Sequence, residues 1–226
     1  MTEWTSTTIG NLHDSGHAQL QTGPFGTQLH SYDYLADGVP VVPTEAIRER
    51  AIDISSLPRI SHEKSVELSR HSLFAGDLLF ARRGIRAAGR VGLIREREHG
   101  YICGTGAIRL RLVPGSPVSS EYLSHVLADP TSVKWFKDHA VGATMPNLNE
   151  GIIRAFPFSF PSLSTQRRIA SVLSAYDDLI ENNTRRIGVL EEMARGLHRE
   201  CSAPFAISTR EGWTPSSLGD LVSLSK

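Results

Sequence analysis

The chain has 226 residues, 40% of them hydrophobic, and its 24 Lys and Arg balance 24 Asp and Glu to a formal net charge of zero. Those values suit a soluble globular protein with a real core, built as one large domain or one domain plus an appendage. No run of about 18 apolar residues marks a transmembrane helix, and Met1-Thr2-Glu3-Trp4 lacks the basic, apolar opening of a signal peptide. Cys103 and Cys201 stand far apart, which argues against a structural zinc site and points to a reducing cytoplasm.

The first feature in chain order is the loop Gly23-Pro24-Phe25-Gly26-Thr27-Gln28-Leu29. Its glycines allow a sharp turn and close approach to a ligand. Thr27, Gln28 and nearby Tyr32 are candidate hydrogen-bond donors to phosphate or base edges. Short apolar runs at 39–42, 77–80, 91–94 and 107–112, each bounded by turn residues, read as strands. The last run alternates apolar and basic residues, so Arg109 and Arg111 are expected to point outward. Residues 73–84 place a turn before an apolar strand that delivers Arg82 and Arg83 at its end. Arg86 and Arg90 follow among small residues that would let a backbone come near a nucleic acid. From 82 to 111 eight Arg face only two acids, Glu96 and Glu98, and the whole chain uses Arg over Lys by 20 to 4. A guanidinium fork matches guanine and phosphate, whereas an ammonium acts as a point charge.

Helices are expected at 120–128 and 131–139. Lys134, Lys137 and Thr144 are further DNA-contact candidates, and Asn147 with Glu150 fits a helix-capping pattern. Residues 1–160 therefore read as an α+β domain, an irregular β-sheet with short helices. Residues 161–203 read as one long coiled-coil-forming helix with Ser164 as N-cap. Ile169, Leu173, Tyr176, Ile180, Asn183, Ile187, Leu190, Ala194 and Leu197 recur at alternating spacings of four and three, a heptad seam suited to pairing with another helix. Asn183 is its polar member, and a buried Asn fixes register. At 1.5 Å per residue, residues 164–201 span about 57 Å, too long to lie wholly on one small domain. Residues 204–226 begin a second repeat: Trp4-Thr5-Ser6-Thr7-Thr8-Ile9-Gly10-Asn11-Leu12 matches Trp213-Thr214-Pro215-Ser216-Ser217-Leu218-Gly219-Asp220-Leu221.

Signatures of catalysis are missing. The sequence contains no phosphate-binding G-x-x-x-x-G-K-[ST] loop, no G-x-G-x-x-G, no G-x-S-x-G elbow and no H-E-x-x-H. The Asp-Pro-Pro-Tyr type motif of adenine methyltransferases is also absent. No catalytic residue and no metal ligand is therefore assigned.

An ordered set of motifs carries a family resemblance. It runs through Gly-Pro-Phe-Gly-Thr-x-Leu at 23–29, Gly-Val-Pro-Val-Val-Pro at 38–43, Gly-Asp-Leu-Leu-Phe-Ala-Arg-x-Gly at 76–84 and Gly-x-x-x-Pro-Asn-Leu-Asn at 142–149. A proline-rich exit then leads to Gln166-Arg167-Arg168-Ile169-Ala170 and onward to Asp177 and Ile180. Over residues 4 to about 200 the chain resembles the specificity subunits of Type I restriction–modification systems. The resemblance implies a non-enzymatic target-recognition domain that reads one half of a bipartite double-stranded DNA sequence. It implies a conserved long helix that pairs antiparallel with a counterpart, and docking of methyltransferase subunits and a restriction–translocase subunit. It implies no cofactor here; S-adenosylmethionine, ATP and Mg belong to those partners. No membrane partner is expected. Family members carry two recognition domains, whereas this sequence reaches Lys226 as its second copy begins, and a homodimer through the long helix is one way to supply the other half.

Two other readings stay open at this point. A nuclease or methyltransferase domain would show activity with added cofactor. A protein–protein scaffold built on the coiled coil would lack salt-dependent DNA binding.

Overall fold

The computed structural model of the chain describes residues 4–84, 89–142 and 146–202. It divides into two compact units, Met1–Leu173 and Ser174–Lys226.

The first unit begins with β1 (Thr5–Thr8) and α1 (Ile9–Asp14). The Thr8 hydroxyl accepts the Asn11 amide at 3.1 Å and so starts that helix. Next come β2 (Ala18–Thr22), β3 (Tyr34–Leu35), β4 (Val39–Val42), the hairpin β5 (Ile47–Arg48) and β6 (Ala51–Ile52), β7 (Arg59–Ile60) and α2 (His62–Glu67). The rest comprises β8 (Leu78–Ala81), β9 (Val91–Leu93), β10 (Ile102–Cys103), β11 (Ala107–Leu112), α3 (Ser120–Ala128), α4 (Pro130–His139), α5 (Glu150–Ala155), β12 (Pro157–Phe160) and α6 (Leu163–Ser202). The architecture is α+β, as its sequence pattern implied, with all four expected strands and both short helices in place.

An antiparallel sheet ordered β2-β11-β8-β9 lies at the centre. Alternation along its strands fills two cores. Leu78, Phe80, Val91, Leu93, Ile108 and Leu110 join Ile9, Leu12, Leu123, Leu127, Phe136 and Ile153 from the helices. On the opposite face Leu79, Ala81 and Ala107 join Val42, Ile47, Ile52, Leu73 and Ile94. A second sheet, β10-β4-β7-β3, covers a third cluster of Leu29, Val41, Ile60, Leu68 and Ile102. Pairing of β1 with β12, Thr5 opposite Phe160, joins the start of the unit to its exit.

Covering both faces of β11 overturns the outward placement of its arginines. Arg109 is buried and donates to the carbonyls of Arg70 (3.1 Å) and Ser72 (2.8 Å). Arg111 is half-buried and grips buried Asp77 with two bonds, at 2.7 and 2.6 Å. It also lies 4.0 Å over the Phe74 ring. A two-residue repeat cannot tell a solvated face from one covered by another layer.

The start of α6 differs from expectation too. The helix begins at Leu163, so Ser164 stands inside it, and the Ser162 carbonyl accepts the Gln166 amide at 2.9 Å. Fully buried Gln166 anchors this end: its amide donates to the Pro117 and Pro161 carbonyls, both at 2.8 Å, and its oxygen accepts the Ser119 amide at 2.9 Å. Ile169 packs against the helix-side core and Ala170 is buried, so Ile169 belongs to the unit's own packing and the open seam starts later.

Within the second unit, the described residues continue α6 to Ser202. Tyr176, Ile180, Ile187, Leu190 and Leu197 are exposed, as are Leu179, Val189 and Met193, and Asn183 stands among them in the same helix. Pairs four residues apart, Arg185–Glu181 and Arg195–Glu191, support the helix from its polar side. The repeat at 204–226 lies outside the described residues.

Candidate nucleic-acid interface

A pocket of about 100 Å³ brings together two motifs that stand some sixty positions apart in sequence. Thr22, Gly23, Pro24, Phe25 and Gly26 form one wall, and Arg82, Arg83, Thr105 and Gly106 form the other. Gly23 is required by close approach: a Cβ there would lie 2.2 Å from the Gly104 carbonyl oxygen. The Gly23 amide donates to the Ala107 carbonyl at 2.9 Å, which ties the loop to the sheet. Gln28 closes the loop on itself, its side-chain oxygen accepting the Phe25 amide at 3.1 Å. That oxygen is therefore engaged inside the loop.

Both arginines of the motif at 76–84 reach this place, in different ways. Half-buried Arg82 donates from Nε to Asn147 Oδ1 (3.0 Å) and to the Leu148 carbonyl (3.1 Å). Its backbone is held on both sides, the amide by the Gly106 carbonyl at 3.0 Å and the carbonyl by the Leu148 amide at 2.9 Å. Arg83 is exposed, and its backbone bridges to Asn147. Asn147 is thus not a helix cap: the side chain that caps α5 is Asn149, which accepts the Ile152 amide at 2.8 Å. Asn147 is in turn paired with Val141 through two backbone bonds, at 3.0 and 2.9 Å.

The remaining candidates spread over the first unit. Thr27 is exposed on the glycine loop, and Tyr32 is 74% exposed and stacked on His30 at 4.7 Å. Arg90 is half-buried beside β9. Lys134 and Lys137 are exposed on α4, but Lys134 is paired with Asp138 at 2.5 Å. Arg86 and Thr144 lie outside the described residues. The arginine-rich stretch does not form one basic surface: Arg109 and Arg111 are internal, and Arg97 pairs with buried Glu98. Thr105 and Gly106 were missed in the sequence, although Gly104-Thr105-Gly106 is a second glycine-rich turn of the kind that flagged residues 23–26.

Three groups of the first unit, Cys103, His71 and His125, are held in their neutral forms. Burial pushes the Cys103 thiol up to about 12. Burial, then the charges of Arg70 and Arg109, lowers the His71 imidazole to about 4. His125 falls to about 4 through burial and the charge of Arg50. Among the described residues no group of three His, Cys, Asp or Glu is placed to hold a metal ion, and no helix is long and apolar enough to cross a membrane.

A second opening, an open groove of about 470 Å³, runs along the first part of α6 and is lined by Thr165, Arg168, Ile169, Val172 and Leu173. It adds an apolar surface to the first unit.

Comparison with known proteins gives the following. The family described as Type I restriction modification DNA specificity domain matches residues 34–192. The Type I restriction enzyme MjaIX specificity subunit of Methanocaldococcus jannaschii is 30% identical over 125 residues, 49% of this chain and 29% of that protein. A putative type I restriction enzyme MjaX specificity subunit of the same organism is 25% identical over 187 residues, 81% of this chain and 43% of that protein. The crystal structure of a Type-I restriction-modification system S subunit from M. genitalium superposes with a TM-score of 0.60 at 18% identity, covering 90% of this chain and 46% of that one. The HsdS subunit of Thermoanaerobacter tengcongensis gives a TM-score of 0.54 at 18% identity, covering 94% and 51%. At these identities the structural likeness speaks for the fold. The chain spans less than half the length of the curated relatives it matches.

Proposed function

This chain belongs to the Type I restriction modification DNA specificity family, and on that premise we propose that it selects the DNA sequence on which partner subunits act while performing no chemistry itself. The observation that carries the reading is the convergence of the glycine loop at 23–26 with Arg82 and Arg83 on one small pocket. Backbone that can approach closely, next to guanidinium groups, suits recognition of phosphates and base edges. In this reading the first unit reads one half of a bipartite double-stranded target. Thr27, Gln28 through its amide nitrogen, Tyr32, Arg86, Arg90, Lys134, Lys137 and Thr144 supply further contacts.

The exposed apolar residues of α6 from Leu173 to Leu197 support helix pairing, because such a stripe is unfavourable in water until covered. The partners are the methyltransferase subunits, the restriction–translocase subunit, and either a second recognition half or a second copy of this chain. S-adenosylmethionine, ATP and Mg are held by those other subunits. Paired helices of about 60 Å would keep two recognition surfaces apart, and since one DNA turn is about 34 Å the target would contain an unspecified gap.

Fluorescence anisotropy with labelled duplexes tests the reading. The Arg82→Ala, Arg83→Ala double variant is expected to bind less tightly, and binding of the parent chain should weaken as salt rises. Unchanged affinity in the double variant would remove this pocket from the interface.

A further inference from the structure

The two adjacent arginines of the pocket are held so differently that they divide the work of DNA recognition. We infer that Arg82 reads the edge of a guanine, that Asn147 is the residue that positions it, and that Arg83 holds the phosphate backbone. This rests on the DNA-selection reading above and assigns its specificity to particular atoms.

Arg82 is fixed at both ends. Its backbone amide and carbonyl are bonded to Gly106 and Leu148, and its Nε donates to Asn147 Oδ1 and the Leu148 carbonyl. Two acceptors on Nε set the plane of the guanidinium. The two Nη groups make no hydrogen bond to any of the described residues, and Arg82 forms part of the pocket wall. A guanidinium held in plane with free terminal N–H groups is the donor arrangement that meets guanine O6 and N7 together. Its rotamer freedom is already lost on folding, so less is lost on binding. At about 100 Å³ the pocket admits the edge of a base, not a whole nucleotide.

The Arg83 side chain has none of these constraints. It is exposed, and its side chain bonds to no described residue. Mobile, solvated arginines make sequence-independent contacts to phosphate. Asn147 links the pair, its side chain on Arg82 and its backbone opposite Arg83, so its loss would leave Arg82 Nε only the Leu148 carbonyl and loosen the plane of the guanidinium.

Selection of bound duplexes from a randomised pool tests this, using the full chain alone and assembled with methyltransferase subunits. Each variant's affinity for the selected duplex and its base-substituted forms is then measured over a range of salt. The parent chain is expected to select a motif containing a guanine whose replacement weakens binding about 10- to 100-fold. Arg82→Lys should lose the preference at that guanine and keep the rest of the motif. Asn147→Ala should blunt the same preference with Arg82 still present. Asn147→Asp, which retains an acceptor for Nε, should recover it at lower overall affinity. Arg83→Ala should weaken all sequences alike and reduce the salt slope by about 1. If Arg82→Lys and Asn147→Ala melt at lower temperature yet keep every base preference, Arg82 is an internal brace and the inference falls. If the parent chain selects no motif, the DNA-selection reading falls with it.

Discussion

Asp77 and Arg111 give the sharpest test of the packing argument. Asp77 is 1% exposed and receives two bonds from Arg111, at 2.7 and 2.6 Å, and one from the Phe74 amide at 2.8 Å. Asp77→Ala would leave the half-buried Arg111 guanidinium only the Ser72 carbonyl and the Phe74 ring, with the Phe74 amide losing its acceptor. Removing one member of a buried pair costs about 3–5 kcal/mol, a large share of the roughly 5–15 kcal/mol that holds a domain together. With a urea m-value of about 2 kcal/mol/M, the unfolding midpoint should drop by about 2 M. Urea titration followed by circular dichroism measures it. Replacing both partners, Asp77→Ala with Arg111→Met, should cost less than the sum of the two single changes, because no charge is left uncompensated. A single-variant loss below about 1 kcal/mol, or strictly additive losses, would refute the claim that Arg111 is structural and not a ligand-facing cation.

Three further outcomes follow from the same structure. Gly23→Ala, whose Cβ would meet the Gly104 carbonyl, should cost about 1–3 kcal/mol and weaken DNA binding, whereas Gly26→Ala, with nothing within 4 Å, should leave the melting temperature unchanged; calorimetry on the two variants separates them. The chain should self-associate in sedimentation velocity through its exposed α6 residues, and Ile180→Glu with Leu190→Glu should yield a monomer whose melting temperature no longer depends on concentration. His71 is neutral in both folded and unfolded chains above pH 6.5, so it contributes no pH dependence there. Between pH 6.5 and about 4 the unfolded chain takes up a proton that the folded chain refuses. Stability should therefore fall by about 2–3 kcal/mol across that window, with His125 acting in the same direction. Melting curves from pH 7.5 to 4.5 should be flatter for His71→Gln than for the parent chain.

Local chemistry was legible in the sequence wherever one segment settles its own structure. The apolar run at 107–112 is a strand because its side chains fit a pleated surface, and α6 is a helix because its apolar residues repeat at helical spacing over many turns. The glycine loop and the arginines of 82–83 were likewise visible as motifs, and their order along the chain carried the family resemblance. What pairs with what was not visible. The expected outward placement of Arg109 and Arg111 failed because the layer that supplies the Arg70 and Ser72 carbonyls covers them, with Asp77 beside Arg111 at the head of β8, and strand periodicity has no knowledge of a second layer. Asn147 read as a cap because caps are recognised by spacing to the next helix, yet Asn149 takes that place and Asn147 turns to Arg82. Sequence by itself determined the elements and the chemistry available to them, since propensity and periodicity act within a few residues of the chain. Only the tertiary structure decided which arginines are braces and which face a ligand, because that depends on acceptors brought in from 34 to 66 residues away.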